Sequence, residues 1–263
     1  MSLEKTAPEA IQEMLQPLEG GQFKFACHPH VPCFTECCRE LKLLLTPYDI
    51  LRLKNHLGLD AGTFLNQYTQ TELDTRRNLP MIYLQMQEDP RRTCPFVTPK
   101  GCRVYEDRPA ACRIYPVARA SRMHRRHGTV QEDFFVLHEP HCLGFEESRT
   151  WSIQEWTQDQ GLEKYNEFNN LWMEIITHPK VMQGSGLSEK QQQMFFLASY
   201  NLDKFRDFVL GSRFLQLFDL PEGESEAVRE SDEALLRLAF LWLKFSLCNE
   251  PVLRMRGVGN HAS

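Results

Sequence analysis

The sequence predicts an α+β protein with an irregular cysteine-rich region, a small β-hairpin and a mostly helical carboxyl-terminal region. Eight of the nine cysteines lie between Cys27 and Cys142, in a stretch that prolines and glycines interrupt. After residue 150, apolar residues recur at helical spacing. With 263 residues the chain can bury a real hydrophobic core, so disulfides are not needed to hold the fold together.

Changes in composition divide the chain into four consecutive segments. Residues 1–22 form a lead-in segment, and residues 23–150 form the cysteine-rich domain. Residues 151–250 form the helical region, which we expect to pack against that domain. Residues 251–263 form a disordered tail, because chain ends are poorly ordered unless something ties them down.

The cysteine-rich domain has few signals of regular structure. Residues 10–18 show a short helical pattern. The i, i+4 spacing of Cys33 and Cys37 permits a helix to begin there. Residues 117–123 and 130–137 are β-prone stretches on either side of a basic turn, which predicts a β-hairpin.

Capping residues mark the start of several helices. Thr46, followed by proline, favours the N-cap of a helix that ends at Gly58, and Asp60 favours the start of another. Ser188 opens the capping-box pattern S-E-K-Q, ahead of an amphipathic helix that extends to about Leu210.

The remaining elements follow from apolar patterns. Residues 80–87 contain M-I-Y-L-Q-M, which predicts a strand. Residues 152–177 predict a helix with a break at Gly161, and residues 233–247 predict a final helix. Residues 221–232 are acidic and predict a mobile loop.

The sequence predicts a cytoplasmic protein. Its first residues lack the apolar stretch of a secretory signal, and no apolar run approaches the ~18 residues of a membrane span. Thiols are kept reduced in the cytosol, so eight clustered cysteines favour metal ligands over disulfides. Cys248 lies alone on an apolar helical face, and we exclude it from the site.

Spacing alone does not settle the metal. The first cysteines read C-x3-C-C, the later ones are separated by seven and nine residues, and no C-x2-C pair of the zinc-finger kind occurs. Iron–sulfur sites have more varied spacings and can place proline beside a ligand, as in Cys94-Pro95. An iron–sulfur cluster is therefore the first choice and zinc the second.

The number of centres stays open at this point. Cys37 and Cys38 are adjacent, so either they serve two centres or one of them supports the site without binding. Eight thiolates suit two four-thiolate sites, or one cluster with spare thiols. In each group we expect the sulfurs to lie within roughly 4 Å of one another, the edge of a thiolate tetrahedron with metal–sulfur bonds of ~2.3 Å.

Basic side chains surround the middle cysteines. Between Arg91 and Arg126 there are ten Lys and Arg residues against two acids. Guanidinium groups can donate to thiolate sulfur and offset its charge, although surface arginines are an equal alternative for any one of them. The candidates are Arg92, Arg103, Arg108 and Arg113. Three histidines also flank cysteines, but a supporting or surface role is favoured because the cysteines suffice: His28, His30 and His141.

These motifs together resemble the YkgJ-type cysteine-cluster family, whose members are described as zinc- or iron-chelating or as containing an Fe–S cluster. The residues that carry the resemblance are C-F-T-E-C-C, C-P-F, G-C-R-V-Y-E-D-R-P and C-R-I-Y-P, within Cys27 to Cys142. The resemblance implies Tyr105, Arg108 and Pro109 as structural support. It implies as ligands Cys27, Cys33, Cys37, Cys38, Cys94, Cys102, Cys112 and Cys142. The cysteine pattern is also distantly similar to the flagellin lysine N-methylase FliB.

We therefore expect a metal-binding protein with cysteine-ligated iron–sulfur clusters of the [4Fe–4S] kind, which could support redox or protein-modifying chemistry. The alternative is a zinc-binding structural module whose helical half binds a protein partner. No phosphate-cradling or hydrolase motif identifies a catalytic residue, so enzymatic activity stays an open question. The partner is an unidentified protein or small molecule. No nucleic-acid signature and no membrane segment are present in the sequence.

Overall fold

The computed structural model describes residues 14–75, 77–124, 129–182, 186–221 and 223–256. The predicted α+β class is confirmed: helices predominate and the strands form small antiparallel sheets. Within the described residues, no helix combines the length and apolar character needed to span a bilayer.

The strands are short and follow one another along the whole chain. They are β1 (Leu15–Pro17), β2 (Gln22–Lys24), β3 (Thr69–Asp74), β4 (Leu79–Leu84), β5 (Val97–Thr98), β6 (Gly101–Cys102), β7 (Val117–His124), β8 (Thr129–Leu137), β9 (Thr150–Ser152), β10 (Phe218–Asp219) and β11 (Arg254–Met255).

Most helices lie in the second half of the chain. They are α1 (Pro47–Leu57), α2 (Ala61–Tyr68), α3 (Ala110–Ile114), α4 (Ile153–Asp159), α5 (Glu163–Ile176), α6 (Pro179–Met182), α7 (Glu189–Tyr200), α8 (Leu202–Gly211), α9 (Phe214–Leu217), α10 (Glu224–Glu230) and α11 (Asp232–Cys248). Short 3-10 turns occur at Glu19–Gly21, Tyr105–Asp107 and Leu143–Glu146.

The chain forms two compact units, each built from two separate stretches. The cysteine unit comprises Met1–Leu43 and Gln85–Asn166, and the helical unit comprises Leu44–Leu84 and Glu167–Ser263. These units differ from the consecutive segments expected from the sequence, because the stretch that carries α1, α2, β3 and β4 belongs to the helical unit. Composition reveals such segments but not which of them make contacts over long distances.

The cysteine unit has an aromatic core between two small sheets. One sheet has the order β1-β8-β7, and β2 pairs with β9 in the other. In that second sheet Phe23 stands opposite Trp151, and both side chains are buried. Phe25 and Trp156 pack edge to face with ring centroids 5.7 Å apart. Cys142 packs against this core, which places a predicted ligand beside a buried aromatic cluster.

Two helix predictions in the cysteine unit are wrong. The described part of the pattern at residues 10–18 contains β1, because Leu15 pairs with Leu137 across the sheet, and residues 10–13 lie outside the described residues. After Cys33 the chain forms turns, with Thr35 at φ 68°, and then a bridge between Arg39 and Thr93. A left-handed residue followed by cross-strand pairing cannot continue a helix.

The capping predictions in the helical unit are confirmed. The Thr46 hydroxyl accepts a hydrogen bond from the Asp49 N–H, whose carboxylate in turn accepts one from the Thr46 N–H. Gly58 ends α1 in the left-handed region at φ 65°. Asp60 caps α2, and the strand predicted within residues 80–87 is β4.

Three expectations about the later part of the chain are corrected by the structure. The helix from Ser188 ends at Asn201, whose side chain accepts a hydrogen bond from the Lys204 N–H and starts α8. The acidic stretch is not a loop over residues 224–230, because it forms α10 around fully buried Val228. In the predicted disordered tail, β11 pairs with β10, while residues 257–263 lie outside the described residues.

Candidate metal centre

Four of the predicted ligands lie around the loop that contains Cys142. The Ala26 N–H donates to the Gly144 carbonyl at 3.0 Å, which brings the neighbouring Cys27 to this loop. The Leu143 N–H donates to the Cys33 sulfur at 3.1 Å. A methyl group at Gly144 would lie 2.5 Å from the Phe25 ring, so only glycine permits this approach. With Cys37, these residues form what we name the Cys142 group: Cys27, Cys33, Cys37 and Cys142.

The other four predicted ligands lie around the loop that contains Cys94. The bridge between Arg39 and Thr93 is antiparallel, so Cys38 stands opposite Cys94, and the Cys94 N–H donates to the Cys38 carbonyl at 2.8 Å. Cys102 pairs with Val97 across the β5–β6 hairpin that directly follows Cys94. We name this set the Cys94 group: Cys38, Cys94, Cys102 and Cys112.

Backbone N–H groups point at several sulfurs. The Phe96 N–H lies 3.5 Å from the Cys94 sulfur. The N–H groups of Val104 and Gly144 favour the thiolates of Cys102 and Cys142 in the same way. In all three cases the donor is two residues after the cysteine, so one local turn geometry recurs. Donors to sulfur stabilise a thiolate and are a normal part of thiolate metal sites.

Burial favours the neutral form of several of these thiols. Cys27 is exposed as a residue, but partial desolvation of its thiol raises its pKa to about 11, helped by the nearby thiols of Cys37, Cys33 and Cys142. Burial also raises the pKa of Cys94 to about 11 and raises those of Cys102 and Cys142. A metal cation would reverse this preference, because thiolates are the binding form and metal binding releases their protons.

Cys37 and Cys38 join the two groups. Their thiols form a hydrogen bond, which lowers the pKa of Cys37 and raises that of Cys38. Cys38 is also affected by the charges of Cys94 and Cys112, in its own group. Of these two thiols, Cys37 therefore ionises first. The Cys38 thiol keeps its proton and donates it in a hydrogen bond to the Cys37 sulfur.

Of the four candidate arginines, Arg108 is buried and acts on both groups of cysteines. Arg108 is 8% exposed, stacks 3.7 Å from the Tyr105 ring centroid, and donates to the Tyr105 carbonyl and to Gln160 Oε1. Its charge lowers the pKa of Cys27 and of Cys102, so it acts on both groups. Burial in turn lowers the pKa of Arg108 itself.

The other candidate arginines have structural or surface positions. Arg113 is 9% exposed and donates to the backbone carbonyls of Arg108, Gln160 and Glu106, so it holds α3 and its cysteine in place. Arg103 lies over the Phe96 ring and its charge lowers the pKa of Cys94 and Cys102. Arg92 is exposed.

Two buried polar atoms beside the Cys142 group lack a hydrogen-bond partner of normal geometry among the described residues: Tyr115 Oη and His28 Nδ1. Burial and the adjacent Cys142 thiol raise the pKa of Tyr115, so its hydroxyl stays a donor. His28 Nε2 lies 3.5 Å from Glu147, and His141 Nε2 lies 3.7 Å from Glu139. His30 is exposed, with its ring 5.8 Å from that of His28.

The sequence could not indicate every residue of this site. Tyr115 stands in the quoted motif C-R-I-Y-P, but nothing in that motif distinguishes its hydroxyl from any other. Gln160, which binds both Arg108 and Arg113, lies far along the chain in no recognisable motif. Such partners are found only when the fold brings distant residues together.

The thiols fit a metal in chemistry, but their spacing is wider than expected. None of the eight forms a disulfide, and donors and cations surround them. Among the described residues, however, no three His, Cys, Asp or Glu side chains are placed to hold one metal ion. The prediction that the sulfurs of each group lie as close together as the corners of a thiolate tetrahedron is therefore wrong for the chain without metal. A single ion would require these side chains to move towards one another.

Comparison with known proteins identifies the cysteine-rich segment. Residues 26–143 match the CxxCxxCC family model, whose description is "Putative zinc- or iron-chelating domain". No curated protein and no solved structure matches the chain. The match covers the span of the predicted resemblance, confirms it at the level of a cysteine-cluster family and supports metal binding. Residues 26–143 of this chain are therefore similar to the CxxCxxCC family.

Proposed function

We propose that this protein binds iron–sulfur clusters through the eight cysteines of its cysteine unit, with zinc as the second candidate metal. The observation that carries the proposal is the position of eight cysteines around two loops, none of them in a disulfide, with backbone N–H groups directed at several of their sulfurs. Soft thiolate ligands select zinc or iron–sulfur clusters over hard cations.

Electrostatics support a resident metal. The eight thiols lie close to one another, and most of them are partly buried. Burial and mutual repulsion raise several of their pKa values, so the thiols cannot all ionise without a cation. A thiolate-bound metal carries net negative charge, which the buried guanidinium of Arg108 would offset. Tyr115 would supply a further donor to the Cys142 sulfur.

Iron–sulfur is preferred over zinc because of the spacing. The segment has C-x3-C-C and wide later separations, without the C-x2-C pairs that are frequent in structural zinc sites. When bound, such a cluster would supply one-electron redox chemistry. The chain's own residues would set its potential through N–H donors, Arg108 and the aromatic surroundings of Cys142.

The decisive experiment is metal and sulfide analysis of the full chain purified without oxygen. We expect iron with acid-labile sulfide, and broad absorption near ~400 nm. Colourless protein with stoichiometric zinc would establish the second candidate. Protein that holds neither metal, even after anaerobic reconstitution, would contradict metal binding. We also propose a redox or protein-modifying role, a cytoplasmic location, and an unidentified protein or small molecule as the partner.

A further inference from the structure

We propose that the eight cysteines form two separate metal centres, one on the Cys142 group and one on the Cys94 group. This inference rests on the proposed metal-binding function and adds the number of centres and the ligands of each. It assigns the adjacent residues Cys37 and Cys38 to different centres.

The first argument is the backbone path around the Cys142 group. Cys27 and Cys33 each reach the same short loop, Cys142 to Gly144, through the hydrogen bonds of Ala26 to Gly144 and of Leu143 to the Cys33 sulfur. The Phe25 N–H donates to the Arg149 carbonyl at 2.9 Å and extends this pairing towards β9. The chain on either side of Cys142 is thus fixed next to the first two cysteines.

The second argument is the separate path around the Cys94 group. Two hydrogen bonds frame the bridge between Arg39 and Thr93: Glu40 N–H to the Arg92 carbonyl, and Cys94 N–H to the Cys38 carbonyl. They hold Cys38 against Cys94. The tight β5–β6 hairpin returns the chain to Cys102, and the Arg103 N–H donates to the Phe96 carbonyl at 2.9 Å.

Cys112 joins the second group through the arginines. It lies on α3, whose Arg113 donates to the carbonyls of Glu106 and Arg108. These bonds fold α3 back on the turn that follows Cys102. The charge of Arg108 interacts with both Cys102 and Cys112. The cysteines that act electrostatically on Cys27 and Cys142 belong to the Cys142 group. Those that act on Cys38 are Cys94 and Cys112 of its own group and the adjacent Cys37, while Arg108 acts on both groups.

The two centres differ in exposure. Cys27 is exposed, whereas the four thiols of the Cys94 group are all partly buried. His28 and His141 flank the Cys142 group, together with the carboxylates of Glu147 and Glu139. We therefore expect the centre on the Cys142 group to lose its metal first when a chelator or oxygen is added.

The test compares the full chain with a matched pair of variants, Cys33→Ser and Cys94→Ser. Both sulfurs accept a backbone N–H, and serine can accept it too, so each change removes mainly a metal ligand. Cys248→Ser is the control for a cysteine outside both groups. The measurements are metal per chain and, for each holo-protein, alkylation of individual cysteines followed by peptide mass spectrometry.

The parent should hold two centres, seen as about eight irons with eight sulfides for two [4Fe–4S] clusters, or as about two zinc ions. Each single variant should hold about half the metal, and Cys248→Ser should hold all of it. In Cys33→Ser, Cys27, Cys37 and Cys142 should become open to alkylation while the Cys94 group stays protected. Cys94→Ser should show the reverse.

Two outcomes overturn the inference. A parent with the metal of only one centre leaves the proposed function standing but removes the second centre. Cysteines that become reactive across both groups in each variant, while circular dichroism remains that of the parent, would show that the groups are not separate. A parent without any metal contradicts the proposed function itself.

Discussion

At the scale of single residues, Arg113 shows how a basic side chain can serve the site without touching a metal. Its guanidinium donates to the backbone carbonyls of Glu106, Arg108 and Gln160, and it lies 4.7 Å from the Tyr165 ring centroid. The first two of these carbonyls lie between Tyr105 and Cys112 in the sequence. The planar fork of arginine, with five N–H donors, is suited to this role and lysine is not.

We expect Arg113→Lys to destabilise the metal-free protein by roughly 2–4 kcal/mol, because at least two buried charge-assisted hydrogen bonds are lost. Denaturant unfolding of the metal-free chain measures the effect. Arg92→Lys, at an exposed position, is the control and should change the unfolding free energy by less than about 0.5 kcal/mol. Equal effects of the two changes would contradict the role assigned to Arg113.

Tyr115 offers a second residue-scale prediction. Its buried hydroxyl would donate to the thiolate of Cys142, and a donor to sulfur stabilises the reduced, more negative form of a cluster. Tyr115→Phe should therefore lower the reduction potential of one centre without loss of metal, measured by a redox titration of the holo-protein. Tyr105→Phe, at an exposed tyrosine, should leave both potentials where they are. An unchanged potential in Tyr115→Phe would count against the assigned contact.

At the scale of elements, the segment from Cys94 to Pro116 buries too few apolar side chains for burial alone to order it. It contains two strands of two residues each, one 3-10 turn and the five-residue α3. Phe96 and Val104 are its fully buried apolar side chains in the described structure. Elements this short are marginal alone, so hydrogen bonds from arginine order them, and metal coordination would add to that order under the proposed function.

We expect Cys102→Ser to increase hydrogen exchange across residues 94–116 of the anaerobically purified protein, because a ligand that helps to order them is lost. Exchange in α11 should stay as in the parent, since its buried residues include Leu235, Phe240 and Leu243. Cys248→Ser is the matched control. Equal protection of residues 94–116 in parent and Cys102→Ser would mean that metal does not order them.

Sequence signals that act locally were good predictors of these elements, and long-range contacts were not. The caps at Thr46, Asp60 and Ser188 determine helix starts by hydrogen bonds within a few residues. By contrast, β1 is a strand because it pairs with β8. The acidic stretch forms α10 because the Val228 side chain is buried. Local propensity is weak enough for such contacts to override it.

In the candidate metal site, too, local signals in the sequence were predictive and long-range contacts were not. The cysteines could be chosen from residue type and motif, because thiol chemistry is independent of fold. Their division into two groups depends on the bridge between Arg39 and Thr93 and on the loop at Gly144, which are contacts between residues far apart in the chain. The sequence therefore left one centre or two as open alternatives.

At the scale of the whole molecule, each unit has its own source of stability. The helical unit buries many apolar residues of α11 and stacks Tyr48 on Phe168 at 4.5 Å. It also holds a buried cation, Lys54, 3.2 Å from Asp203 and 3.7 Å from Asp232. Removing one partner of such a group leaves a poorly compensated charge, so the carboxylates should matter for stability.

Asp232 makes the stability of the helical unit dependent on acid. Burial would raise its pKa, but the Asn55 amide, Lys54 and Arg206 together hold it below the ordinary value of 3.8. Its contribution is thus present above about pH 4 and lost as the pH falls through the lowered pKa, because the unfolded chain takes up the proton first.

We expect Asp232→Asn to destabilise the protein by about 1–3 kcal/mol at pH 7 and by less at pH 3, where the Asp232 carboxyl of the unfolded parent is mostly protonated. Thermal unfolding at several pH values measures this difference. Asp207→Asn, at an exposed aspartate, is the control. A loss of stability that is the same at both pH values would contradict the ion pairs as its cause.

The bridge between Arg39 and Thr93 also bears on how relatives of this chain can be found. It fixes Cys38 opposite Cys94, while the chain between them leaves and returns through the pairing of Leu44 with Tyr83. Lengthening a flexible loop within this excursion, between its helices and strands, costs little, about 0.6 kcal/mol for each doubling of the loop. A gap inside C-C would instead change the register of the bridge. We expect homologues to keep C-C and C-P-F unchanged while the number of residues between them varies widely over evolution.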